Sequence, residues 1–175
     1  MSNRSRELLS WALYILVPFV VMLCIRLFVV SPIIVDGDSM QPTFQHGDVV
    51  ILAKQGDVER FRTIVFRHAT TDYLMIKRVI GMPGDTLELR DDVLYINEEP
   101  YEEPYVYDAP FMTQQTADFT LQSMAHVDVV PENAYVVLGD YRLKSRDSRH
   151  FGLVYAEDVV GVVKWRVMSN WTTFY

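Results

Sequence analysis

Between Leu8 and Ile25 the chain reads LLSWALYILVPFVVMLCI, eighteen residues without a charge. No other feature restricts the fold as strongly. A helix rises about 1.5 Å per residue, so this run is about 27 Å long, close to the hydrocarbon thickness of a bilayer. A buried helix of a soluble domain rarely runs this long without a polar face. A cleavable signal peptide has a shorter apolar core followed by a small-residue cleavage site, and no A-x-A pattern follows Ile25. The run is therefore expected to be a permanent transmembrane anchor over residues 8–30. Membrane helices tolerate a residue such as Pro18. Trp11 and Tyr14 near one end are of the interfacial type, and Arg26 can snorkel. Arg4 and Arg6 precede the run. The positive-inside rule then puts residues 1–7 in the cytoplasm and residues 31–175 on the extracytoplasmic side.

After Val35 the pattern changes. GDVVILAK, RTIVFRH, YLMIKRVIG, DTLELR, VLYINEE, NAYVVLGD and VVGVVKWRVM are short β-branched and aromatic runs separated by turn residues such as Pro83-Gly84-Asp85 and Asp91-Asp92. This spacing predicts a mainly β, antiparallel domain behind the single N-terminal helix. Residues 100–127 carry Pro104, Pro110 and many polar side chains and read as an irregular insertion. The net charge of −7 comes with no basic cluster, which argues against nucleic acid as a partner. Cys24 is the sole cysteine, so neither an intrachain disulfide nor a cysteine-based metal site is available.

Three clusters carry chemistry. In Gly37-Asp38-Ser39-Met40-Gln41-Pro42-Thr43, Ser39 lies in a tight connection where its hydroxyl can be presented and nearby N–H groups can face a developing oxyanion. Many serines in such turns only satisfy backbone groups. A serine nucleophile needs a base. His46, His68, His126 and His150 fall in no triad pattern, and H-E-x-x-H is absent. Lys77, in the run Leu74–Ile80, shares one strand face with Met75 and Val79, and Arg78 is expected to point the other way, toward water. Desolvation lowers a lysine pKa, and a neutral amine can take a serine proton. An edge-strand lysine that guards against aggregation would leave the same pattern. The third cluster, Gly139-Asp140-Tyr141-Arg142-Leu143-Lys144-Ser145-Arg146-Asp147-Ser148-Arg149, reads either as a surface loop of weak ion pairs or as a shell bracing a site.

Together, in this order and behind an anchor, GDSMQPT, IKRVIGMPGD and GDYRLKSRDSR resemble the type I signal peptidases over nearly the whole chain. The short chain with a modest insertion is most similar to the Gram-positive forms. The resemblance implies that Ser39 is the nucleophile and Lys77 the general base of a Ser/Lys dyad. It implies that Ser145 hydrogen-bonds and orients that lysine, that Asp147 and Arg149 pair to hold the site, and that Met40 packs beside the dyad. Lys77 stands where the endoplasmic-reticulum type has histidine, which points to the bacterial type. Some members carry a serine two positions before the nucleophile that helps the oxyanion hole; Gly37 stands there, leaving the hole to the Ser39 N–H with the Gly37 segment. Tyr141 stands where GDNR is usual.

The activity implied is acyl transfer without metal or cofactor, cutting secretory preproteins after small residues at the bilayer surface. Segments around Ile33–Val35 and Leu74–Lys77 are expected to wall the substrate site. Trp165 and Trp171 suit either a membrane interface or the core. Two other readings stay open on the residues alone. One is a self-cleaving Ser/Lys regulator, although no basic recognition helix accompanies the domain. The other is a membrane-tethered β-domain that only binds partners.

Overall fold

The β-branched runs form strands because alternate side chains can be buried on the two faces of a sheet. The computed structural model describes residues 3–28, 30–106 and 116–168, with the side chains of residues 3–10, 24–28, 30 and 168 outside the description. Helix α1 covers Asn3–Phe28 and holds Pro18. Strands follow as β1 (Val30–Ile34), β2 (Val49–Ala53), β3 (Thr63–Arg67), β4 (Leu74–Gly81), β5 (Leu87–Arg90), β6 (Val93–Ile96), β7 (Glu99–Tyr101) and β8 (Phe119–Thr120). The short helix α2 (Leu121–Ala125), β9 (Ala134–Leu138), the short helix α3 (Ser148–Phe151), β10 (Val154–Tyr155) and β11 (Val159–Met168) complete the chain. One sheet has the order β1-β2-β11-β3-β4-β9-β10 and the other β7-β6-β5-β8. The strand pairings are antiparallel.

The expected mainly β, antiparallel domain is therefore present. The long runs read in the sequence correspond to β2–β6, β9 and β11. Strands β7, β8 and β10 are only two or three residues long, too short for a period to register. Part of the supposedly irregular 100–127 stretch is ordered: β8 pairs with β5 and closes the second sheet. Thr120 caps α2, its side chain accepting from the Ser123 N–H while the Ser123 hydroxyl accepts from the Thr120 N–H.

No helix among the described residues is long and apolar enough to cross a membrane. The side chains at both ends of the anchor expected at 8–30 lie outside the description, as do Cys24, Arg26 and Trp171. Across residues 11–23 every side chain is exposed, with Trp11 edge-on to Tyr14 at 6.2 Å between ring centroids. Val30, placed at the end of the anchor, opens β1 instead.

Three apolar clusters surround the sheets. Ile80, Leu89, Leu94, Ile96, Val136 and Leu138 pack in one of them, where β4 and β9 meet the smaller sheet. Ile64, Phe66, Val79, Val137 and Val162 form another. Val35, Met40 and Phe44 from the β1–β2 connection reach a third, against Val50, Leu52, Val65, Ile76 and Val163. Each such side chain contributes about 1.5–3 kcal/mol when fully buried, enough to pin a connection that would otherwise be free. That connection is also closed at its base, with Val35 N–H donating to Asp48 O at 2.8 Å and Gly47 N–H to Val35 O at 2.9 Å. Strand β11 crosses between β2 and β3 with register shifts. At Gly161 a Cβ would stand 2.6 Å from the Ala53 carbonyl oxygen, so the close strand approach requires glycine. Trp165 is 63% exposed, which removes core burial as its role.

Candidate active site

Two chain segments bring the dyad together. The first is the pinned β1–β2 connection, where Met40 is fully buried and fixes its neighbour Ser39. The second is β4. Lys77 pairs across the ladder with Ile64 and Ile76 with Val65, and cross-strand partners share a face. Lys77 therefore projects on the side of Met75 and Val79, both of which pack in the same apolar cluster as Ile64. Its ammonium end emerges at Ser39: Nζ lies 2.7 Å from Ser39 Oγ and donates to Ile76 O at 2.9 Å.

Lys77 is 3% exposed. Burial pushes its pKa down to about 8, against the opposing pull of the Asp147 and Asp140 carboxylates. An amine poised near neutrality within hydrogen-bond reach of a hydroxyl meets both requirements for a general base.

The 139–149 loop packs behind the pair. Tyr141 N–H donates to Ser39 O at 3.0 Å, and a Cβ at Gly139 would lie 2.6 Å from that same carbonyl oxygen. Asp147 is fully buried. It accepts from Gly139 N–H at 3.0 Å and from Arg149 Nε and Nη2, each at 2.8 Å. Burial opposes its ionisation, yet the Arg149 guanidinium and the Gly139 N–H outweigh that and hold the carboxyl below the usual range. Ser145 is buried against Gly139. Its hydroxyl is close enough to Asp147 to favour the carboxylate, but it makes no hydrogen bond of good geometry, to Lys77 or to any other described group.

The expected Ser145–Lys77 hydrogen bond is thus not made, and two other expectations need revision. Arg78 does lie on the face opposite Lys77, but it is only 11% exposed and is spent on protein partners rather than on water. Its Nε and Nη2 grip Asp140 at 2.8 and 2.6 Å, and Nη1 donates to Phe61 O at 2.7 Å. Thr43 Oγ1 completes this pair by donating to Asp140 Oδ2 at 2.5 Å. Gly37, named with Ser39 for the oxyanion hole, donates its N–H to His46 Nδ1 at 3.2 Å and is already committed. Among the described residues the Ser39 N–H has no such acceptor.

A cleft of about 650 Å³ opens over the pair. Ile33–Val35 form one wall and Leu74–Lys77 the other, as expected, joined by Asp36, Asp38, Tyr73, Lys144 and Arg146. The last two were missed because an exposed cation in a loop carries no sequence signal for a cleft; the buried Asp140–Arg78 pair could have been suspected from the Gly139-Asp140 dipeptide ending a buried strand. No group of three or more metal-ligating side chains occurs among the described residues.

The chain as a whole is similar to known proteins. A family profile described as signal peptidase, peptidase S26, matches residues 8–168. A signal peptidase I of Bacillus caldolyticus is 41% identical over 160 residues, covering 85% of this chain and 87% of the relative. A signal peptidase IB of Staphylococcus aureus is 37% identical over 173 residues, covering 93% of this chain and 90% of the relative. The crystal structure of a signal peptidase I from Enterococcus faecalis superposes with a TM-score of 0.58 at 39% identity, over 62% of this chain and 98% of that one.

Proposed function

The chain belongs to the signal peptidase family, peptidase S26, and from that premise we propose that it cuts signal peptides from exported preproteins with Ser39 as nucleophile and Lys77 as base. The observation that carries this reading is the 2.7 Å approach of Lys77 Nζ to Ser39 Oγ on the floor of an open, largely apolar cleft.

Neutral Lys77 takes the Ser39 proton as Oγ adds to the scissile carbonyl. The oxyanion accepts from the Ser39 N–H. The C–N bond then breaks, and Lys77 returns its proton to the leaving amine of the mature protein. An ester joins Ser39 to the signal peptide until Lys77 takes a proton from water, whose oxygen displaces Oγ, and Lys77 hands that proton to the departing Oγ. Met40 excludes water beneath the dyad. Ser145, Asp147 and Arg149 hold the loop against it.

Substrate enters extended, adding to the unpaired edge of β1 or lying between the two walls. Ile33, Val35, Leu74 and Ile76 supply an apolar lining suited to small side chains beside the scissile bond. Residues 8–28 act as a single-pass anchor, supported by the uncharged run from Leu8 to Ile25; residues 1–7 stay in the cytoplasm and the domain from β1 onward works outside. Tethering to the lipid bilayer raises the effective concentration of preproteins at the site.

The test mixes detergent-solubilised full-length protein with a secretory preprotein and maps cuts by mass spectrometry beside Ser39→Ala and Lys77→Ala. One cut after a small residue, lost in both variants, is expected. A cut that survives Lys77→Ala would exclude lysine as the base.

A further inference from the structure

The stretch 100–127 reaches the rear of the site through Glu103 and Tyr105. Glu103 Oε1 accepts from Arg142 Nη2 at 2.5 Å and from the Tyr105 hydroxyl at 2.8 Å, and the Glu103–Arg142 ion pair is almost fully buried. Arg142 Nε in turn donates to Gly139 O at 3.1 Å. The Tyr105 ring lies under the second guanidinium, with Arg78 Cζ 4.1 Å from its centroid. Tyr105 also packs at a tilt against Phe61, with ring centroids 6.0 Å apart, and the Phe61 carbonyl accepts from Arg78.

These contacts converge on the turn 139–142. Its Gly139 N–H holds Asp147, its Asp140 holds Arg78, and its Tyr141 N–H holds the Ser39 carbonyl. Arg78 is the residue next to Lys77 on β4. The turn thus touches Ser39 directly and reaches Lys77 through its neighbour Arg78, while the insertion grips Arg142 and Arg78.

Resting on the peptidase reading, we infer that Glu103 and Tyr105 are positioning residues: they clamp Arg142 and Arg78 so that the 139–142 turn and β4 hold Ser39 and Lys77 in register. The pairs they make are buried and charge-assisted, so their geometry is stiff. A misplacement of about 1 Å far from the chemistry can cost about a hundredfold in rate. The insertion's contribution should therefore appear in kcat.

Glu103→Gln alone strands a buried guanidinium and lowers stability as well as rate. The decisive variant is therefore Glu103→Met with Arg142→Met, in the full chain, because replacing a buried pair with apolar side chains restores stability. If the pair only stabilises the fold, kcat returns with the melting temperature. If it positions the dyad, kcat stays at least about tenfold low at unchanged KM in a folded protein.

Tyr105→Phe removes one hydroxyl, keeps the ring, and covers the case of a double variant that fails to fold. Roughly threefold lower kcat at unchanged KM is expected of it. Wild-type kcat in the folded double variant, or in Tyr105→Phe where the double variant does not fold, overturns the clamp. Acylation of Ser39 by a small activated ester, followed by mass, separates the clamp from the peptidase reading. An uncut preprotein with normal acylation refutes the substrate alone, and the clamp is then judged by the same rate ratios in acylation. A wild-type Ser39 inert to both refutes both.

Discussion

Ser39 and Lys77 are 38 residues apart in the chain, yet Oγ and Nζ stand 2.7 Å from one another. The approach depends on Met40 and Ile76, the neighbours of the two residues, packing in one apolar cluster. Serine and lysine thus meet because the adjoining side chains are buried together.

The pH dependence of kcat follows from the lysine. The productive form is the neutral amine, and burial brings its pKa to about 8. Turnover is expected to rise with pH and reach half its plateau near 8. Steady-state cleavage of a preprotein across the range checks this, and a flat profile would exclude Lys77.

Lys77 also lowers stability. Its pKa falls from 10.5 unfolded to about 8 folded, so between those values the unfolded chain binds more protons and stability rises with pH. Below pH 8 the full penalty applies, on the order of 3 kcal/mol. Lys77→Met is expected to abolish cleavage and to raise stability by up to that amount near pH 7, with the gain shrinking toward pH 10. Urea melts at several pH values measure it.

Asp147→Asn removes a carboxylate that favours the Lys77 ammonium. The half-plateau of the pH profile should therefore move below that of the wild type. Arg149 loses a bidentate partner in a mostly buried position, a change that costs about 3 kcal/mol or more. Asp147 itself titrates below the usual carboxylate range. It supports the wild-type fold above the unfolded carboxylate pKa, and that support is lost as pH falls through its own lower value. The acid limb of the melt should therefore flatten in the variant.

Gly139→Ala places a Cβ against the Ser145 side chain and 2.6 Å from the Ser39 carbonyl oxygen. Neither obstacle is a flexible tip, since one is backbone and the other is buried. The turn must shift, and a cleavage loss of about a hundredfold is expected, far beyond the drop in melting temperature. Parallel kinetic and thermal measurements decide the point, and a variant with normal kcat would show that the turn can move freely.

Much of the architecture was legible in the chain itself. β-Branched and aromatic runs such as Val49–Ala53 and Ala134–Leu138 announced strands because such side chains suit the pleat, whose period of two is a local property. The alignment of Lys77 with Met75 and Val79 followed from the same period, and the three polar clusters marked the pieces of the site. An uncharged run of eighteen residues defined the N-terminal element. The tertiary structure decided whatever depends on a partner far along the chain. Arg78 was read as facing water because its own strand cannot reveal that Asp140 arrives to bury it. The Gly37 N–H looked available until the fold brought His46 to it, and Glu103 and Tyr105 looked like loop residues until Arg142 and Arg78 met them. The depressed pKa of Lys77 belongs to the same class, because desolvation is set by everything packed around an amine and hardly at all by its neighbours in sequence.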